Sequence, residues 1–138
     1  MKIKLPLCVL ILCFLLAGCE VKPHVQWTIY TPEALLKAAN SGQPSIVYFY
    51  AAWCGVCYQL KDKTFTDPQI IQALASYARF KVDMSFTHAS SVRAAGRRFE
   101  IGGVPTTIIF DSHGKEVMRF EGFFTPDQLL NDISEQSN

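Results

Sequence analysis

Charge is scarce in this chain. Only 18% of its 138 residues are charged, and the signs nearly cancel to a formal net charge of +1. A chain so balanced carries no basic field that would hold nucleic acid. Long apolar runs are missing as well. The longest, Leu5 to Ala17, is about a dozen residues, short of the roughly twenty needed to span a bilayer as a helix. Histidine is sparse: His24, His88 and His113 are scattered without ligand spacing. There is no internal repeat and no low-complexity stretch, and the length fits one ordinary domain. What is plentiful is apolar: 49% of the residues are hydrophobic, which excludes a mostly disordered chain.

Part of that share belongs to an address. Lys2 and Lys4 precede the apolar run, which ends in Leu16-Ala17-Gly18-Cys19. Charged start, short apolar stretch and small residues arrive in the order of a secretion signal. The last four residues resemble the bacterial lipobox, which implies cleavage before Cys19 and a lipid on that cysteine. An uncleaved anchor, or ordinary cleavage with Cys19 left free, are the alternatives. The expected division is a signal at 1–18, a polar and mobile tether at 19–26, and one domain at 27–138. Cleavage would remove two lysines and take the net charge to about −1. It would also remove Cys8 and Cys13, leaving Cys54 and Cys57 for chemistry in an oxidising compartment.

The rest of the chain reads as alternating elements. Trp27–Tyr30 is β-prone. Thr31-Pro32 opens a helix that Asn40-Ser41-Gly42 closes. Ser45–Ala51 is a continuous apolar run, as in a strand buried on both faces. A helix is expected from the cysteines past Leu60, and another from Asp67-Pro68. Arg79–Met84 reads as a strand, Ser90–Phe99 as a helix and Thr106–Phe110 as a strand. Ser112-His113-Gly114 turns the chain into Glu116–Phe120, a hairpin partner. Thr125-Pro126-Asp127-Gln128 is a capping box for a last helix. The order β-α-β-α-β-α-β-β-α predicts an α/β fold: parallel crossovers first, an antiparallel hairpin last, and a central mixed sheet flanked by helices.

Cys54-Gly55-Val56-Cys57 falls between the buried strand and the following helix. Two intervening residues let one helical turn bring the sulfurs within bonding distance. The first cysteine meets free backbone N–H groups and the positive end of the helix dipole, which favour a thiolate. Cys54 is therefore the expected nucleophile and Cys57 the resolving thiol. Half of a zinc site is the other reading of the spacing, but a zinc ion needs two more ligands, and no further cysteine is left for it. No metal and no cofactor beyond the cysteine pair itself is expected.

Further residues place this pattern in a family. Tyr50-Ala51-Ala52-Trp53-Cys54-Gly55-Val56-Cys57, then Thr64-Phe65-Thr66-Asp67-Pro68, then Gly103-Val104-Pro105-Thr106, then Gly122-Phe123 resemble the thioredoxin superfamily. Within it they resemble the C-terminal periplasmic domain of the thiol reductase DsbD. The resemblance implies a thioredoxin-like fold with the cysteine pair at a helix N-terminus. It implies that Pro105 is a cis-proline beside that pair, aiming the Val104 backbone at the site, and that Trp53 packs beside Cys54 as a partial shield. Two positions depart from the family. Thioredoxins carry a buried aspartate six residues before the first cysteine, where this chain has Tyr48. The DsbD domain has a glutamate seven residues after it, where this chain has Lys61, with Asp62 next to it. Cys57 is then expected to lose its proton through water, Tyr48 or another group.

Strong oxidants of this fold, such as DsbA, place a histidine between the cysteines. Gly55 and Val56 supply none, so a reducing couple is expected. By resemblance its electrons would come from a membrane protein of the DsbD or CcdA type. They would pass to disulfides of exported proteins such as apocytochrome c or a disulfide isomerase. The bacterial periplasm is the expected compartment, with the inner membrane favoured by Glu20 after Cys19. A disulfide oxidase or isomerase, and a non-catalytic binding lipoprotein of the same fold, are the competing readings.

Overall fold

A computed structural model describes residues 22–136. The signal segment and the lipobox cysteine, Cys19, lie outside the described residues. Ser45–Tyr50 forms the central strand, β2, of a five-stranded sheet. On one side it pairs in parallel with β3 (Ala78–Asp83), and on the other antiparallel with β4 (Thr106–Phe110). The two-residue β1 (Thr28–Ile29) edges the sheet against β3, and β5 (Glu116–Glu121) closes the far edge as the hairpin partner of β4. The strand order β1-β3-β2-β4-β5 is the mixed architecture that the element order implied.

Alternation along β2 explains the layers. Successive side chains point to opposite faces, so Ile46 and Tyr48 enter one core and Val47 and Phe49 the other. The first core is closed by α2 (Gly55–Gln59), α3 (Pro68–Ala73) and α5 (Pro126–Gln136), through Cys57, Leu60, Ile70 and Leu129. The second is closed by α1 (Pro32–Asn40) and α4 (Ser90–Arg98), through Leu35, Ala38 and Ala95. Helix starts carry the expected caps. Thr31 Oγ1 accepts the Ala34 N–H at 3.1 Å, and Asp67 Oδ1 accepts those of Gln69 and Ile70. Thr125 and Gln128 exchange both bonds of a capping box. Past Gln59 the helix widens into a π turn, Leu60–Thr64, closed by the Phe65 N–H on the Leu60 carbonyl.

The β4–β5 turn is built on Asp111, whose carboxylate accepts the N–H groups of Lys115 and His113. Those bonds, Lys115 first, hold its carboxyl below the usual carboxylate range. A depressed folded value means that this contribution is present at neutral pH and fades as pH falls through it. Gly114 has φ +77°, and a Cβ there would meet the Ala39 Cβ at 2.8 Å. The turn therefore requires glycine twice over.

Two expectations need correction. Of the predicted strand Trp27–Tyr30 only Thr28 and Ile29 pair with β3. The Trp27 ring packs onto Tyr48 and Phe65, while Tyr30 keeps one ladder bond, its N–H donating to the Lys81 carbonyl at 3.0 Å, and sets its ring on Phe99. The mobile tether at 19–26 also ends sooner than predicted. Val25 is 0% exposed, and its N–H donates to the Phe65 carbonyl at 2.8 Å. One buried valine in a polar run leaves no periodic signal to show that the segment is held there.

Candidate active site

The site lies where β2 runs out of the sheet and α2 begins. Cys54 caps α2 and is joined to Cys57 by a disulfide, with Cα atoms 5.2 Å apart. Cys54 Sγ accepts the Cys57 N–H at 3.1 Å. That donor is one of the free N–H groups of the first helical turn, and the bond would carry over to a Cys54 thiolate. Cys54 is 9% exposed and Cys57 3%, so the first sulfur is the one nearer solvent.

Three segments hold this corner. The Val104–Pro105 peptide is cis, and the Val104 carbonyl oxygen lies 3.7 Å from Cys54 Sγ. Pro105 O accepts the Gly122 N–H at 2.8 Å, which joins the Gly122-Phe123 loop to the proline. Thr106 Oγ1 donates to Gly103 O at 2.8 Å and fixes the glycine pair before it. The third support is absent from the sequence reading: Ser85 Oγ accepts the Ala52 N–H at 2.7 Å while the serine is itself bonded to Asp83. The loop after β3 thereby holds the residues just ahead of Trp53. Trp53 itself is 71% exposed. Its ring stands in solvent beside the site and is not the packed shield that was expected.

Behind the disulfide is an open cleft of about 400 Å3. Its floor is Tyr48, Phe65 and Cys57, and its walls include Tyr50, Tyr58, Lys61 and Lys81. The rest of the wall is the N-terminal segment His24–Trp27, which the sequence reading had assigned chiefly to a tether. Every residue that lines the cleft lacks a carboxylate. Asp62, beside Lys61, is not among them.

Tyr48 is part of this floor. Its hydroxyl donates to the Cys57 carbonyl at 3.1 Å, and its ring stacks on Tyr50 and meets Trp27 and Phe65. Burial, and then the neighbouring Tyr50 hydroxyl, push the phenol far above its ordinary value. Tyr50 is also raised, by burial and then by Asp83. Both phenols are neutral at physiological pH and neither is a proton acceptor for Cys57. Tyr48 is therefore a positioning residue. Tyr48→Phe is expected to cost about 1 kcal/mol, because the Cys57 carbonyl keeps its bond from the Leu60 N–H. The pH profile of thiol alkylation in the reduced protein should be unchanged; a displaced profile would give the phenol a part in proton transfer.

Among the described residues, no three His, Cys, Asp or Glu side chains converge as a metal site. In the same residues no helix is long and apolar enough to cross a membrane.

Comparison with known proteins agrees with this geometry. A family model for a thioredoxin-like domain matches residues 31–136. The thiol:disulfide interchange protein DsbD of Haemophilus ducreyi is 37% identical over 94 residues, which are 67% of this chain and 16% of that protein. The chain thus spans only a small part of that relative. Among solved structures, a thioredoxin from Thermus thermophilus superposes with a TM-score of 0.67 at 25% identity, covering 83% of this chain and 88% of the other. The oxidised DsbD C-terminal domain of Neisseria meningitidis gives 0.62 at 23% identity, covering 80% and 100%, and that likeness shows the shared fold.

Proposed function

This chain belongs to the thioredoxin-like domain family, and from that membership we propose that it is a thiol:disulfide oxidoreductase that reduces disulfides of exported proteins. The observation that carries the reading is the Cys54–Cys57 disulfide at the start of α2, with a backbone N–H on Cys54 Sγ. In the reduced protein the Cys54 thiolate attacks one substrate sulfur. The substrate S–S bond breaks, a mixed disulfide forms, and the released thiolate takes a proton. Cys57 then loses its proton, to water in the open cleft, and attacks Cys54 Sγ. The protein disulfide re-forms and the second substrate sulfur leaves as a thiolate. Two electrons pass from the dithiol to the substrate.

The direction follows from what lies between the cysteines. DsbA-like oxidants sit at about −120 mV and thioredoxin at about −270 mV, a gap of about 7 kcal/mol for two electrons. Gly55 and Val56 bring no side-chain donor to the thiolate. Lys61 and Lys81 act the other way, since a nearby cation favours a thiolate. Across a solvent-filled cleft each is worth about 1 kcal/mol at most, roughly 20 mV, so they do not reverse the sign. Equilibration with a glutathione buffer should give a potential nearer to thioredoxin than to DsbA. A value near that of DsbA would overturn the reductive reading and favour the oxidase.

A reductase in an oxidising compartment needs a continuing dithiol donor. We assign this to a membrane protein of the DsbD or CcdA type, with lipid on Cys19 holding the domain beside it in the periplasm. Tethering of that kind raises effective concentration without a new contact. Apocytochrome c and a disulfide isomerase fit as substrates. The relative named for thiol:disulfide interchange supports the chemistry, and the lipobox supports the anchor.

A further inference from the structure

The cleft behind the disulfide is asymmetric in charge. Lys61 and Lys81 line it together with His24, and no lining residue is acidic. Arg119–Glu116 is the single ion pair recorded among the described residues, so neither lysine has a carboxylate within 4 Å there. Lys81 lies over the Tyr50 ring at 6.0 Å from its centroid, which leaves its three N–H donors without an anion. Tyr58 adds a hydroxyl on a side chain that is largely exposed. Asp83, whose carboxylate accepts the Tyr50 hydroxyl at 3.5 Å, stands outside the lining, and cations grouped in a concave surface without a carboxylate in ion-pair contact focus a positive potential on what enters it.

The same cleft reaches the sulfurs, since Cys54 and Cys57 both line it. A substrate disulfide that approaches Cys54 therefore has the cleft carrying Lys61 and Lys81 next to its flanking residues. We infer that the protein selects disulfides flanked by carboxylates: acidic segments of the substrate chain seat in this cleft while the neighbouring sulfur meets Cys54. This rests on the oxidoreductase reading and adds a substrate class to it. The electron balance is unchanged, with the Cys54–Cys57 dithiol as reductant and the substrate disulfide as oxidant.

The charge order gives a diagnostic test. A carboxylate beside a disulfide repels an attacking thiolate, so a small dithiol such as dithiothreitol should reduce an acidic peptide more slowly than its amide twin. The protein should reverse that order. The probes are two disulfide peptides that differ only in Asp and Glu against Asn and Gln beside the cystine. They are mixed with the pre-reduced protein, freed of reductant, in single-turnover stopped flow. At about 0.01 M salt the acidic peptide should react about 10-fold faster than its twin. At about 1 M salt, where the screening length falls to about 3 Å, the ratio should approach one. Lys61→Gln should lower the low-salt ratio as well. Equal rates at low salt, or a ratio that ignores both salt and Lys61→Gln, would overturn the carboxylate preference while leaving disulfide exchange intact. Reduction of neither peptide would overturn both readings.

Discussion

Replacing Cys57 by serine is expected to turn a catalyst into a trap. With Cys54 free, the variant still attacks a substrate disulfide, but no other thiol among the described residues can break the mixed disulfide that results. The lost group acts intramolecularly, 5.2 Å away at the Cα level and already in the same helical turn. Well-placed intramolecular groups reach effective molarities of about 10⁵ M or more, which no external thiol approaches. The mixed disulfide should therefore last minutes to hours, the scale of uncatalysed exchange. Non-reducing electrophoresis of cells expressing Cys57→Ser should show covalent complexes that vanish with reductant. Their identification by mass spectrometry would name donor and substrate together. Cys54→Ser should give none and abolish turnover. Equal trapping by both variants would contradict the order in which the two sulfurs act. An empty Cys57→Ser trap would favour the non-catalytic binding reading.

The largest loss of stability is expected from Phe65→Ala. This ring is 1% exposed and sits where the π turn meets the N-terminal segment. It makes edge contacts with Trp27, Tyr48 and Phe124. Removing a buried phenylalanine costs about 3–5 kcal/mol, in part because the cavity does not fully close. That is a large fraction of the stability of a domain this size. Urea unfolding should show the midpoint falling with little change in slope. The effect should also be local to the cleft, since Trp27 rests on this ring and Trp27 walls the cleft. Its emission should shift to the red in the folded variant, with Trp53→Phe as background to remove the exposed indole. A loss below about 1 kcal/mol would mean that the segment carrying Val25 and Trp27 is not anchored there.

Much of this molecule is written locally. The strand at Ser45–Tyr50 is legible because a sequence-continuous apolar run has one cheap environment, a sheet covered on both faces. The caps at Thr31, Asp67 and Thr125 are legible because each needs only its own side chain and N–H groups two or three residues on. The cysteine pair is legible for the same reason: two residues of helix set its geometry. These signals determined the order of elements, the mixed sheet and the position of the sulfurs. Chain folding decided the rest. Val25 and Trp27 enter the cleft through contacts with Phe65 and Tyr48, more than twenty residues away, and an isolated valine gives no pattern to read. Ser85 reaches Ala52, and Val104 reaches Cys54, only once β3 and β4 flank β2. Tyr48 took the place of an acid in the sequence. Only packing showed that its hydroxyl is spent on the Cys57 carbonyl and its ring on the floor. Low overall charge was the first thing the chain presented. Where the few charges gather is a property of tertiary structure, because Lys61 and Lys81 lie on separate elements and share a cleft only after folding.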